Sequence, residues 1–130
     1  MGFTYQGEEL AITSATSPKK SYKLANLIKD RDEPLYVYDI EGIRNRYTQF
    51  VDSLSGCKQA KKIHYAMKAN SHPEVLKALK SLGASVDVVS LGEIRLALSC
   101  GFEPADVVFS GVGKSHKEIT EALKLSLIHI

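Results

Sequence analysis

From residue 34 to residue 125 the apolar positions switch repeatedly between two periods. Short runs rich in branched and aromatic residues read as strands: Pro34–Tyr38, 62–68, Ser85–Val89 and Asp106–Ser110. Longer stretches with apolar residues three and four apart read as helices. In the first of these, Ile40, Ile43, Tyr47, Phe50, Val51 and Leu54 share one face; Asp39 is placed to cap it, and Ser55-Gly56-Cys57 stops it. Three further helices are predicted from Ser71 to about Leu82, from Ser90 to about Cys100 and from Ser115 to about Leu125. Each opens with the spacing S-x-x-E, in which serine and glutamate satisfy free N–H groups reciprocally. Gly83 and Gly101 stand where helix C-caps belong.

A strand followed by a helix, repeating about every 21 residues, implies parallel strands joined by right-handed crossovers. Both an open doubly wound sheet and part of a (β/α)8 barrel fit. No GxGxxG or P-loop follows a strand, which disfavours nucleotide binding. A closed barrel typically takes about 250 residues, more than the 130 present. Residues 1–33 are less regular: a short strand at Phe3–Gln6, a loop at Thr13–Pro18, weak helical spacing over Ser21–Lys29 and a charged turn at Asp30–Pro34.

Composition narrows the function classes. Hydrophobic content of 44%, charged content of 25% and a net charge of +2 are ordinary for a globular domain. Lys19-Lys20 and Lys61-Lys62 are isolated doublets and read as solvated surface, so no nucleic-acid partner is expected. No apolar run is long enough to span a membrane, and no secretory signal is read at the N-terminus. Cys57 and Cys100 are far apart and in no CxxC pattern, which argues against a disulfide framework or zinc site and fits a cytoplasmic setting.

Candidate chemistry gathers at the predicted strand ends, where parallel α/β proteins bind ligands. Lys68 ends the strand-like run Lys62–Lys68. It is either a solvated surface lysine or a Schiff-base lysine, a role that needs burial at a barrel mouth to favour the neutral amine. Asn70, two residues on, can hydrogen-bond near the same place. Asp87 lies among Val86, Val88 and Val89, which is costly for a carboxylate without a partner. It is a structural ion pair or an inward-facing acid beside Lys68. Glu93 and Ser90 read first as helix caps. Gly111-Val112-Gly113-Lys114 is a tight turn or, more weakly, a phosphate cradle. His64, His72 and His116 have no metal-ligand spacing.

Four motifs occur in order: Pro34-Leu35-Tyr36-Val37-Tyr38-Asp39, Tyr65-Ala66-Met67-Lys68-Ala69-Asn70, Leu82–Glu93 with Val86-Asp87-Val88-Val89-Ser90 at its centre, and Val108-Phe109-Ser110-Gly111-Val112-Gly113-Lys114. Together they resemble the N-terminal part of bacterial diaminopimelate decarboxylases, in the ornithine/diaminopimelate/arginine decarboxylase group of pyridoxal-phosphate enzymes. The resemblance implies an α/β fold: the first strand–helix units of an incomplete (β/α)8 alanine-racemase-like barrel over 34–125, with a C-terminal β domain in a whole family member. It implies pyridoxal 5'-phosphate held by Lys68, with Asp87 and Glu93 at the cofactor site; Asn70 is expected there from its place beside Lys68, and no metal is expected from the histidine spacing. The implied reaction is decarboxylation of meso-diaminopimelate to L-lysine in a cytoplasmic homodimer. Another basic amino-acid decarboxylase, a racemase of the same fold and a non-catalytic truncated homologue are the alternatives. The family's later phosphate-binding loop, its glutamate at the pyridine nitrogen and its stacking histidine have no counterpart here. The 130-residue chain alone is therefore expected to be inactive. Residues 1–33 match loosely, and residues 126–130 read as a non-family tail from truncation or a frame change.

Overall fold

The computed structural model describes residues 2–13, 21–59, 62–127 and 129–130. The chain divides into two compact units, Met1–Gln49 and Phe50–Ile130.

In the first unit, β1 (Phe3–Gln6), β2 (Glu9–Thr13) and β3 (Ser21–Lys23) form an antiparallel sheet in that order, followed by the short helix α1 (Leu24–Ile28). The β1–β2 hairpin turns at Gly7, whose φ of +67° is a conformation glycine adopts without steric cost. Gln6 donates to the Ser21 hydroxyl at 2.8 Å and Lys23 pairs with Glu9, which ties the three strands together at their edges. The expected strand Phe3–Gln6 is present, β2 was not foreseen, and the weak helix over Ser21–Lys29 shortens to α1 behind a strand. Of the expected loop at Thr13–Pro18, Thr13 ends β2 and residues 14–18 lie outside the described residues.

The predicted strand Pro34–Tyr38 is not formed. Its residues are strand formers by type, but β-propensity reflects packing on a paired, half-buried surface. Here Tyr36 is 84% exposed and the segment joins no ladder. The helix after it is present as α2 (Ile40–Ser53). Asp39 caps it as expected: Oδ1 accepts from the Gly42 N–H at 2.8 Å. A Cβ at Gly42 would meet the Asp39 carboxylate where it now stands, so a larger residue there would make that side chain shift.

The second unit carries the strand–helix repeat. β4 (His64–Ala66), β5 (Ser85–Val88) and β6 (Val107–Phe109) form a parallel sheet in that order. They alternate with α3 (Pro73–Lys80), α4 (Leu91–Ser99) and α5 (His116–Lys124). The register pairs Tyr65 with Val86 and Val86 with Val107, and Ala66 with Asp87 and Asp87 with Val108. Paired residues share a face. Val86, Val88, Val107 and Phe109 thus face the helices and are buried with Leu76, Ile94, Ala97 and Ala122. His64, Ala66, Ser85, Asp87 and Val108 occupy the other face. On the far side of β6, His129 forms a parallel bridge to Val108 and its carbonyl accepts from the Phe109 N–H at 2.8 Å.

The helix boundaries follow local chemistry. Gly83 and Gly101 take φ of +85° and +89° just after α3 and α4, the left-handed conformation expected of a C-cap glycine. Ser115 and Glu118 form the full reciprocal capping box of α5. At α3 the predicted Ser71 cap is replaced by His72, whose Nδ1 accepts from the Glu74 N–H at 3.3 Å. Pro73 sets this start, because its fixed φ and missing N–H suit the first helical position and make the preceding residue the cap. Lys62, read from the sequence as solvated surface, instead donates to Asp106 at 2.9 Å and to the Ala105 carbonyl at 3.0 Å. The Ser85 hydroxyl also donates to Asp106, at 3.4 Å.

Ile94→Ala, which empties a fully buried site, should lower unfolding stability by about 2–5 kcal/mol in urea titrations. The hydrogen bond from Lys62 holds the Asp106 carboxyl below the ordinary aspartate range. Its contribution is present above about pH 3.9 and is lost as pH falls through the depressed folded value. Asp106→Asn should cost about 0.2–1 kcal/mol at pH 7 and progressively less below pH 4, as expected of a part-exposed pair. A cost independent of pH would rule out the ion pair as its origin.

Candidate active site around Lys68

The parallel register delivers the candidate groups to one end of one sheet face. β4 ends at Ala66, and the chain then makes a 3-10 turn, Met67–Ala69, rather than extending the strand to residue 68 as predicted. Met67 anchors the turn by complete burial in the helix-side core. Lys68 follows and its side chain is exposed. The burial expected for a Schiff-base lysine is therefore not provided by the described residues: three parallel strands form an open sheet edge, not an enclosed mouth. Among the described residues, no hydrogen bond or ion pair engages the Lys68 ammonium.

Asp87 sits one strand over, in register with Ala66 and on the face away from the helices. The turn bearing Lys68 packs against β5. Asp87 Oδ1 is buried and has no hydrogen-bond partner among the described residues. A buried carboxylate oxygen without a protein partner is costly, and such an atom calls for a completing group: a ligand, an ion or an ordered water. An external partner at this face would relieve that cost.

Glu93 and Asn70 are engaged differently. Glu93 Oε2 accepts from the Val89 N–H at 2.8 Å, and its own N–H donates to the Ser90 hydroxyl at 3.2 Å. Both bonds fix the loop between β5 and α4, so its carboxylate serves the backbone beside the site. Asn70 Oδ1 accepts from the His72 N–H at 2.9 Å, closing the turn into α3. Beyond β6, Gly111 takes φ of +93°, and the Lys114 ammonium donates to the Gly111 carbonyl while lying 5.1 Å from the centre of the Phe109 ring. The lysine of this turn is thus bound to its own loop. Tyr65, given no role by the sequence reading, reaches the turn as well: its hydroxyl donates to the Asn70 carbonyl at 3.0 Å. Its signal was an aromatic residue with a polar tip three positions before Lys68.

Comparison with known proteins bears on this arrangement. Residues 40–130 match the model of the pyridoxal-dependent decarboxylase pyridoxal-binding domain. The chain belongs to the pyridoxal-dependent decarboxylase family. It is 42% identical over 125 residues to a diaminopimelate decarboxylase of Pseudomonas aeruginosa, covering 96% of this chain and 28% of that protein. Among solved structures, a diaminopimelate decarboxylase of Helicobacter pylori complexed with L-lysine superposes with a TM-score of 0.72 at 39% identity, over 80% of this chain and 26% of the other. An ornithine decarboxylase of Entamoeba histolytica also gives a TM-score of 0.72, at 28% identity, over 82% of this chain and 33% of the other. The chain thus spans about a quarter of the length of its curated diaminopimelate decarboxylase relatives, and its strand–helix units have the fold of the family's barrel.

The two acids should respond oppositely to substitution. Asp87→Ala should leave unfolding stability unchanged or raise it by about 1 kcal/mol, because it removes a buried oxygen without a partner. Glu93→Ala should lower stability by about 1 kcal/mol through loss of the bond to the Val89 N–H. Urea denaturation of both variants without added ligand distinguishes the two roles.

Proposed function

We propose that this chain carries the cofactor-lysine segment of a pyridoxal 5'-phosphate-dependent carboxy-lyase that converts meso-diaminopimelate to L-lysine. One juxtaposition supports the cofactor assignment most strongly. Lys68 lies on the turn just beyond β4, and that turn packs against β5, whose Asp87 presents a buried oxygen with no hydrogen-bond partner among the described residues. An aldehyde cofactor needs the first group, and a polar ligand would complete the second.

When bound, pyridoxal 5'-phosphate supplies an electron sink for the bond to the departing carboxylate. Lys68 is the amine that would hold it, and Nζ must lose its proton before it can attack a carbonyl. Asp87 would accept a hydrogen bond or face a cationic group, since its buried oxygen can only accept while ionised. Glu93 keeps the β5–α4 loop in place through the Val89 N–H, and Asn70 keeps the Lys68 turn in place through the His72 N–H. Their contribution to cofactor binding is to hold these two loops at the strand ends.

The substrate assignment rests on the relatives. Identity is 42% and 39% to the diaminopimelate decarboxylases of Pseudomonas aeruginosa and Helicobacter pylori, against 28% to an ornithine decarboxylase whose fold similarity equals that of the Helicobacter pylori enzyme. That equal TM-score favours, as the second reading, another basic amino-acid decarboxylase. The resemblance further implies a cytoplasmic homodimer. Activity is proposed for a chain of the relatives' length bearing this segment; the 130-residue chain alone should show none.

In such a chain, carbon dioxide release should be fast with meso-diaminopimelate and at least tenfold slower with L-ornithine or L-arginine. Lys68→Ala should abolish both turnover and the cofactor's lysine-bound absorbance. Retained absorbance in Lys68→Ala would remove Lys68 from the cofactor role, and equal release from L-ornithine would favour the second reading.

A further inference from the structure

Tyr65 is rooted in β4, where it pairs in register with Val86. Its ring therefore faces the helices and packs against the buried cluster. An apolar ring would satisfy that layer alone. The hydroxyl does something the sheet does not need: it crosses the 3-10 turn and donates to the carbonyl oxygen of Asn70, two residues beyond Lys68, at 3.0 Å. Asn70 passes the connection on through Oδ1 to the His72 N–H at 2.9 Å, and His72 Nδ1 passes it to the Glu74 N–H at 3.3 Å. A continuous run of hydrogen bonds thus joins β4, the Lys68 turn and the start of α3.

The turn is consequently held at both ends. Met67, on its entry side, is fixed by complete burial. Asn70, on its exit side, is fixed by the Tyr65 hydroxyl. Between them the Lys68 backbone has little freedom, although the side chain stands in solvent. Burial pushes the Tyr65 phenol above its ordinary value, so it remains a protonated donor throughout the neutral range.

We infer that Tyr65 is a positioning residue for Lys68: by tethering the Asn70 carbonyl it fixes the backbone from which Nζ is presented to an aldehyde. Tyr65 acts through the turn: its hydroxyl bonds the Asn70 carbonyl rather than Lys68. The inference rests on the cofactor role proposed for Lys68.

Tyr65→Phe keeps the ring and removes the tether. In a chain of the relatives' length bearing this segment, without cofactor, amide hydrogen exchange over 67–72 should accelerate by about two- to tenfold, the range expected for loss of one net hydrogen bond. With pyridoxal 5'-phosphate added, the concentration for half-maximal lysine-bound absorbance should rise by a similar factor. Ile94→Val, which loosens the same core while leaving the hydroxyl tether in place, should lower thermal stability without either local effect. Unchanged exchange in Tyr65→Phe overturns the inference. So does faster exchange with unchanged cofactor affinity, since the tether would then be purely structural. Failure of the unsubstituted chain to take up the cofactor at Lys68 instead sinks the functional reading, and the inference falls with it. If Tyr65→Phe does not fold, Tyr65→Met, which also lacks the hydroxyl, is read by the same two measurements.

Discussion

The parallel register of β4, β5 and β6 is the constraint on which the rest of the second unit depends. Because side chains alternate across a strand, pairing Tyr65 with Val86 and Val86 with Val107 commits one face of the sheet to the helices. The same pairing commits Ala66, Asp87 and Val108 to the other face. A slip of one residue would send Asp87 into the apolar layer and Val86 and Val88 out of it. Burial of Val86, Val88, Val107 and Phe109 against Ile94, Ala97 and Ala122 opposes that slip. The hydrophobic layer therefore determines where the polar groups of the candidate site lie, although it contains none of them.

At the strand ends, polar groups divide between those completed by the protein and those left for something else. Glu93 and Asn70 have their side-chain oxygens on backbone N–H groups, and Lys114 donates to its own loop. These bonds make rigid turns out of short, exposed connections, whose backbone would otherwise turn only to water. Among the described residues Lys68 and Asp87 are the exceptions: a solvent-exposed amine with no hydrogen bond or ion pair, and a buried carboxylate oxygen with no partner on the neighbouring strand. An amine past the end of β4 and a carboxylate on the neighbouring strand β5 are groups that a small, polar, aldehyde-bearing cofactor can engage.

Much of this was legible in the sequence because the relevant physics is local. The 3.6-residue spacing of α2, the Asp39 cap, the Ser115–Glu118 box and the C-cap glycines each depend on neighbours within a few positions. The ordered motifs around Lys68 and Asp87 were legible for the same reason. What was not legible depends on distant partners or on competition between neighbours. Pro34–Tyr38 has the residues of a strand but no ladder to join. Pro73 moves the α3 cap from Ser71 to His72. Lys62 finds Asp106, a residue 44 positions away, so no local pattern announced it. Lys68 stands exposed on a turn because Met67, not Lys68, fits the core.

The central claim is that the fold singles out Lys68 among the chain's many amines as the one that takes an aldehyde cofactor. The most direct measurement is site mapping by peptide mass spectrometry after brief exposure of the chain to a limiting amount of pyridoxal 5'-phosphate and reduction with borohydride. Lys77 and Lys124, whose side chains are 56% and 66% exposed on helices, serve as internal comparators. Label concentrated on Lys68, and dispersed when the chain is unfolded in urea before labelling, is the predicted result. Label spread over Lys68, Lys77 and Lys124 alike in the folded chain would contradict it.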